Sequence, residues 1–248
     1  MNSDAQVVHC ADKSALVDSV AARFIATVTS AQAARGSASV VLTGGSNGIA
    51  LLEALAKDSG DVDWSAVDIY WGDERFVPAE DPERNAGQAY RALLDHVAVQ
   101  PDRVFVMAPS DGRFGEDIDA AAADYAAALS AEAGEGHLVP EFDIHLVGMG
   151  GEGHINSLFP HTAATAEADA TVVAVTDSPK PPPKRITLTF PAVARAREVW
   201  FLVSGAEKAE AVAAGVGGAD PMEWPCAGAH GTDATVWFVD PEAASKLS

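Results

Sequence analysis

The sequence predicts an α/β fold in which a mainly parallel sheet is flanked by helices. The first observation is that short β-branched runs alternate with segments of helical periodicity along nearly all of the 248 residues. The second is that the intervening segments are long enough for the crossover helices that parallel strands require. The third is that 48% hydrophobic and 21% charged residues suffice for a full core. We therefore expect a single domain that spans residues 1–248.

Five segments have the pattern of helices. In the segment from Asp12 to Arg35, Leu16, Val20 and Phe24 fall on one face, and Asp12 is placed to cap the first turn. The other predicted helices cover about Ile49–Lys57, Asn85–Asp95 and Asp117–Ala133, and one begins near Glu207.

Strands are predicted where short apolar runs are bounded by turn residues. The predicted strands are Ser39–Leu42, Val67–Trp71, Val104–Met107, Phe142–Val147, Val172–Val175, Ile186–Thr189, Val199–Val203 and Thr235–Val239. Because ligands of open α/β sheets bind beyond the carboxyl ends of the strands, the residues that follow each strand are the first candidates for chemistry.

The charge of the chain excludes several classes of partner. Sixteen Lys and Arg against 36 Asp and Glu give a net charge of −20, which repels phosphate backbones and anionic lipid. We expect no nucleic-acid and no membrane partner, and a monomer or weak homodimer. Two distant cysteines, Cys10 and Cys226, together with the lack of a signal-like or membrane-length apolar run, predict a cytoplasmic protein.

The motif LTGGSNG, residues 42–48, follows a predicted strand. Gly44 and Gly45 allow backbone N–H groups to approach an anion, and Ser46 and Asn47 are placed to cap the next helix. The motif lacks the Lys-Ser/Thr ending of a nucleotide P-loop. An ordinary turn with a helix cap explains it equally well.

The motif WGDERFVP places Asp73, Glu74 and Arg75 directly after another predicted strand. A solvated turn with a local ion pair is the usual explanation of such a triplet. Asn85, slightly later, is equally compatible with a helix cap.

The motif VGMGGEGHINSLFP contains the spacing G-x-G-x-x-G between Gly148 and Gly153. Pro160 leaves no room for the helix that a dinucleotide site requires, so that interpretation is not favoured. An unperturbed imidazole titrates at about 6.5, so His154, beside Glu152, is a candidate for proton exchange near neutral pH. A lone histidine is more often structural, and His154 and His161 do not have the spacing of metal ligands.

Positive charge is concentrated in one segment of this acidic chain. Lys180, Lys184 and Arg185 fall within six residues, and Lys208 heads a predicted helix. The cluster indicates an anionic ligand, although a polyproline loop with solvated ends would also explain it.

In this order, the four motifs resemble the 6-phosphogluconolactonase family, relatives of the glucosamine-6-phosphate isomerases and deaminases. The resemblance covers nearly the whole chain, through LTGGSNG, WGDERFVPAEDPERNAG, FDIHLVGMGGEGHINSLFP and PPPKRITLTFPAVARAREVWFLVSGAEKAEAV. The chain departs from the family at Glu152, where Asp is common, and at Gly48, where Pro is common. The resemblance implies a Rossmann-like single-domain fold.

The resemblance also implies hydrolysis of 6-phospho-D-glucono-1,5-lactone to 6-phospho-D-gluconate, in the oxidative pentose phosphate pathway, with no metal or organic cofactor. His154 would act as base and then acid for water that attacks the lactone carbonyl. Glu152 or Asp73 would orient the imidazole, and Arg75 would pair with these carboxylates or face the developing oxyanion.

The 6-phosphate would lie on the N–H groups of Gly44, Gly45, Ser46 and Asn47. Its counter-charge would be Lys208 or Arg185. Two alternatives stay open. An amino-sugar-phosphate isomerase/deaminase would release ammonia, and a non-catalytic sugar-phosphate sensor would bind 6-phosphogluconate without accelerating any reaction.

Overall fold

The computed structural model describes residues 5–247, which form two β-sheets packed with helices. The strands are β1 (Gln6–His9), β2 (Ala38–Leu42), β3 (Val67–Trp71), β4 (Asp73–Arg75), β5 (Phe142–Val147), β6 (Val172–Val175), β7 (Arg185–Leu188), β8 (Ala196–Val203) and β9 (Ala234–Val239). The α-helices are α1 (Lys13–Arg35), α2 (Gly45–Lys57), α3 (Asn85–Ala92), α4 (Ile118–Glu132), α5 (Ala163–Ala166), α6 (Phe190–Val193) and α7 (Ala209–Val216).

The larger sheet has the strand order β1-β9-β8-β5-β2-β3, and every neighbouring pair in it is parallel. All residues of β5 and β9 are buried. Because successive side chains of a strand point to opposite faces, both faces of the sheet are covered there. This arrangement confirms the predicted α/β fold with a mainly parallel sheet flanked by helices.

The caps of α1 follow the sequence pattern. Asp12 accepts a hydrogen bond from the backbone N–H of Ala15 at 2.8 Å and so satisfies one of the free donors of the first turn. The helix ends at Gly36, whose φ of 83° lies in the left-handed region that favours glycine, and its N–H donates to the Gln32 carbonyl. Among residues 5–247, no helix combines the length and the apolar character that a membrane crossing needs.

The smaller sheet is antiparallel, with the order β4-β7-β6. The strands predicted at Val172–Val175 and Ile186–Thr189 exist as β6 and β7, but they belong to this separate sheet. Neither β1 nor β4 was predicted. Only Gly72 separates β3 from β4, so the chain passes from one sheet to the other at this glycine.

The strand predicted at Val104–Met107 is wrong. Val104 forms a single parallel bridge with Ile69, and no ladder follows. The apolar run is explained by packing instead, since the Phe105 ring stacks on Tyr70 at 4.6 Å and Met107 is buried.

Three helix boundaries differ from the prediction. The helix α2 begins at Gly45 rather than near Ile49, because its glycine-rich first turn carries no apolar signal. The helix α3 ends at Ala92, before a 3-10 turn over Leu94–His96. The helix expected from Glu207 begins as a 3-10 turn, and α7 follows it.

Candidate active site

Four neighbouring strands, β8, β5, β2 and β3, end at the same edge of the larger sheet, and the segments after them enclose two adjoining cavities. The histidine cavity is bordered by Asp73, Arg75, Asn85, His154 and Arg185. The lysine cavity is bordered by residues 44–48, Ser204 and Lys208. Both cavities share the border formed by Gly44, Gly45, Gly148 and Met149, so one ligand can extend from one cavity into the other.

A tight turn after β5 carries His154. The Gly153 N–H donates to the Gly150 carbonyl at 3.0 Å, and the Gly150 N–H donates to the His154 carbonyl at 3.1 Å. A Cβ on Gly150 would lie 2.1 Å from Nδ1 of His154 and 2.7 Å from Oε2 of Glu152. Glycine at position 150 therefore leaves room for the side chains of His154 and Glu152 in this turn. The short α5 begins only at Ala163, so the dinucleotide interpretation stays disfavoured.

Glu152 holds the imidazole of His154. Nδ1 of His154 lies 2.8 Å from Oε1 of Glu152, and Nζ of Lys180 lies 2.7 Å from the same oxygen. The hydrogen bond with His154, supported by Lys180 and opposed by partial burial, holds the pKa of the Glu152 carboxyl well below its usual range. The resemblance leads one to expect an aspartate at this position, and the longer arm of Glu152 still reaches the ring.

The ionised carboxylate fixes the tautomer of the neutral ring. A carboxylate only accepts hydrogen bonds, so Nδ1 of His154 carries the hydrogen and Nε2 carries the lone pair. The Phe159 ring stacks on the imidazole at a centroid distance of 4.4 Å and restricts its rotation. The arrangement suits an imidazole that accepts a proton at Nε2.

The Glu152 ion pair predicts a pH-dependent contribution to stability. Because the folded-state pKa of this carboxyl lies below its ordinary value of 4.5, the contribution is present above that value and is lost as pH falls through the folded-state pKa. We expect Glu152→Gln to lower the free energy of unfolding at pH 7, and its difference from wild type to shrink at pH 4. Denaturant unfolding at both pH values measures the effect, with Glu116→Gln as the exposed control. An equal difference at the two pH values would contradict the prediction.

Asp73 is buried beneath the histidine cavity. Its Oδ2 accepts a hydrogen bond from the Ser157 hydroxyl at 2.6 Å and lies 3.8 Å from NH1 of Arg185. Within residues 5–247 it makes no hydrogen bond with His154. Of the two carboxylates considered as orienting groups, Glu152 is the one that contacts the imidazole.

Arg75 borders the same cavity without a carboxylate partner in the part of the chain that the structure describes. Its NH1 donates to the side-chain oxygen of Asn85 and, at 3.0 Å, to the Glu83 carbonyl. Asn85 is not a helix cap, since Arg84 occupies that position, and its amide donates to the Asp73 carbonyl at 2.9 Å. Of the two roles expected for Arg75, the carboxylate pair is not formed, and the guanidinium remains a candidate for binding an anionic oxygen.

The explanation of Asp73 and Glu74 as parts of a solvated turn is wrong. Glu74 is 1% exposed and accepts hydrogen bonds from the backbone N–H groups of Arg75, Asn85 and Ala86. Burial raises the pKa of its carboxyl above the usual value, although Arg84 and these N–H groups act in the opposite direction. Glu74 thereby fixes the start of α3 against β4.

The three cationic residues of the segment 180–185 lie near three different carboxylates. Lys180 pairs with Glu152, Lys184 pairs with the exposed Glu116 at 2.7 Å, and Arg185 reaches toward Asp73. The cluster is therefore not one anion site. Among residues 5–247, no three His, Cys, Asp or Glu side chains are placed to hold a metal ion.

The lysine cavity lies over the start of α2. Gly44 is the N-cap residue and makes no side-chain cap hydrogen bond, while Ser46 and Asn47 lie inside the first turn. The prediction that these two side chains cap the helix is wrong, because the Asn47 amide donates to the Leu202 carbonyl and the Ser204 hydroxyl instead. The N–H groups of the first turn, which have no partner within the helix, and the half-buried Lys208 supply positive charge to this cavity, whose lining also includes Glu207.

The site also contains Lys180, Asn85 and Asn156, which were not among the predicted site residues. Asn85 and Asn156 lie in the motifs that carry the family resemblance, so proximity to the motif residues was a usable signal for both. Lys180 was noted only as part of the cationic cluster, and its contact with Glu152 was not predicted, because the two residues lie 28 positions apart in the sequence.

Comparisons with known proteins assign the family. The family model described as "Glucosamine-6-phosphate isomerases/6-phosphogluconolactonase" matches residues 11–237. The 6-phosphogluconolactonase of Mycobacterium tuberculosis is 56% identical over 95% of this chain and 96% of its own, and that of Streptomyces coelicolor is 51% identical over 100% and 96%. A solved structure of 6-phosphogluconolactonase from Trypanosoma cruzi superposes with a TM-score of 0.83 at 26% identity, covering 100% of this chain and 98% of that chain. These matches confirm the resemblance of the four motifs, and the chain belongs to the family of glucosamine-6-phosphate isomerases and 6-phosphogluconolactonases.

Proposed function

We propose that the protein hydrolyses 6-phospho-D-glucono-1,5-lactone to 6-phospho-D-gluconate. Bacterial relatives that share more than half of its residues are named 6-phosphogluconolactonase. The observation that carries the mechanism is the pair of His154 and Glu152 at the border of a cavity that adjoins an anion-suited turn. A δ-lactone is an activated ester, so one positioned base suffices for attack by water.

The reaction proceeds through His154 as base and then as acid. Nε2 accepts a proton while the water oxygen bonds to C1 of the lactone, and the carbonyl oxygen takes up negative charge. The bond between C1 and the ring oxygen then breaks, and the imidazolium returns the proton to that oxygen, which becomes the 5-hydroxyl. Glu152 stabilises the imidazolium, and Arg75 is the candidate for binding the oxyanion.

The 6-phosphate binds in the lysine cavity, on the N–H groups of residues 44–47 with Lys208 as the counter-charge. The two cavities share a border, so a substrate whose phosphate lies in the lysine cavity can place its C1 in the histidine cavity, near His154. Arg185, the second candidate for the counter-charge, borders the histidine cavity instead. We therefore assign Arg185 to the lactone end of the substrate.

Lys208→Ala should raise KM and leave kcat nearly unchanged. Hydrogen bonds to charged groups are worth ~1.5–3 kcal/mol, so we expect a rise in KM of about 10- to 100-fold. The effect falls on KM because the phosphate binds equally in the ground state and the transition state. Lys246→Ala is the control, since Lys246 is an exposed lysine whose Nζ lies 3.5 Å from Glu210. A normal KM for Lys208→Ala would remove this lysine from the phosphate site.

The lactone assay with wild-type protein tests the proposed function. The lactone is generated in place by oxidation of glucose 6-phosphate, and its opening is followed by NMR against the spontaneous rate. Acceleration supports the lactonase. Ammonia release from glucosamine 6-phosphate would favour the isomerase/deaminase alternative, which the family also contains. Binding of 6-phosphogluconate without any acceleration would favour the sensor.

A further inference from the structure

A buried polar unit that the proposed mechanism does not use lies against the histidine cavity. The fully buried His145 of β5 places Nε2 3.4 Å from Oδ1 of Asn156. A Cβ on Gly72 would lie 2.4 Å from that oxygen and 3.1 Å from Nε2, so the glycine gives this contact its room. His145, Gly72 and Asn156 belong to three separate segments of the chain, and all three meet at the side-chain amide of Asn156.

The tautomer of His145 determines which end of the Asn156 amide, Oδ1 or Nδ2, is left without a hydrogen-bond partner. Burial lowers the pKa of His145 to about 4, so the ring is neutral at physiological pH. Nδ1 has no hydrogen-bond partner within residues 5–247, and a buried acceptor without a partner is tolerated better than a buried N–H. The hydrogen is therefore on Nε2, which donates to Oδ1 of Asn156 and leaves Nδ2 as the free end of the amide.

The Nδ2 group of Asn156 is a buried donor without a protein acceptor. Asn156 is 7% exposed and borders the histidine cavity, yet its Nδ2 has no hydrogen-bond partner among the residues that the structure describes. Its φ of 47° is left-handed, a conformation that asparagine adopts more readily than most residues. A fixed, unpaired donor beside a ligand cavity indicates an acceptor on the ligand.

We propose that Asn156 is a substrate-binding residue whose Nδ2 donates a hydrogen bond to an oxygen of the sugar lactone, and that His145 positions its amide. The inference rests on the proposed function, because it needs the lactone in the histidine cavity. The hydroxyl and carbonyl oxygens of the lactone supply the required acceptors. Asn156 follows His154 by two residues, so the contact is at the reacting end of the substrate.

Two replacements of Asn156 test the hydrogen bond. Asn156→Asp keeps the shape and the acceptor for His145 but removes the donor, and Asn156→Gly keeps the left-handed backbone but removes the amide. We expect each to lower kcat/KM at least about fivefold, the loss typical of one hydrogen bond. A higher KM identifies a hydroxyl as the acceptor, and a lower kcat identifies the carbonyl oxygen. Wild-type kcat/KM in both folded variants would overturn the proposal, whereas an inactive wild type would instead refute the proposed function.

A double-mutant cycle tests the role of His145. If His145 acts through Asn156, His145→Leu lowers kcat/KM in the wild-type background and has no further effect in the Asn156→Gly background. A loss of equal factor in both backgrounds would mean that the histidine acts only through packing, and would overturn its positioning role.

Discussion

Replacement of His154 by Asn is expected to abolish most of the lactonase activity while leaving the fold intact. Acid–base assistance of this kind is worth about 10²–10⁴-fold in rate, and kcat should fall within that range. An asparagine side chain can still bond to Glu152, but it has no group that accepts a proton at neutral pH. The rate is measured with lactone generated in place and is corrected for spontaneous opening.

The control for this replacement is His161→Asn. His161 lies outside both cavities, with its side chain 61% exposed beside Glu223, so the control should keep wild-type turnover. Binding of 6-phosphogluconate should be nearly unchanged in His154→Asn, because the proposed phosphate site is the lysine cavity. A folded His154→Asn protein with wild-type kcat would refute the role of His154 as base.

Local sequence signals predicted the parts of the fold and site that depend on neighbouring residues. The strand β5 was predicted with its observed bounds, because an apolar run between turn residues needs no distant information. Glu152 was predicted, together with Asp73, as a candidate to orient His154, because one turn holds Glu152 and the histidine; of the two carboxylates, Glu152 contacts the imidazole. The oligomeric state has no local signal and stays a prediction.

Contacts between distant segments explain what the sequence did not predict. The triplet of β4 is charged and short, so its burial follows only from partners such as Ser157 and Arg185, which lie about 80 and 110 residues away. Asn47 had the right chemistry for a helix cap, but β8 offers the Leu202 carbonyl to its amide. In both cases tertiary hydrogen bonds override the local preference.

Gly44→Ala should lower kcat/KM strongly. The backbone of Gly44, with φ −77° and ψ −165°, is one that alanine adopts freely, so the effect comes from space alone. An added Cβ would lie 2.1 Å from Oδ1 and 2.8 Å from Cγ of Asn85. Asn85 is tied to Arg75 and to the Asp73 carbonyl, so it cannot retreat without displacing them.

The alternative is that Gly44 itself moves and carries the start of α2 with it. Either displacement separates groups that border the two cavities. A misplacement of 1 Å at a reacting centre costs about 10²-fold in rate, and we expect a loss of this size in kcat/KM. Gly134→Ala is the matched control, since a Cβ there meets no heavy atom within 4 Å, and it should behave as wild type.

The double variant Gly44→Ala/Asn85→Ala separates this steric cause from a requirement for glycine itself. Removal of the Asn85 side chain removes the clash, so the double variant should be no less active than Asn85→Ala alone. If Gly44→Ala costs the same factor in both backgrounds, Asn85 is not the group that the new Cβ meets. If it costs nothing in either background, the close approach of Gly44 and Asn85 is not needed for catalysis. A loss that appears only when Asn85 is present would show that the glycine-rich turn and the arginine that Asn85 holds work as one unit.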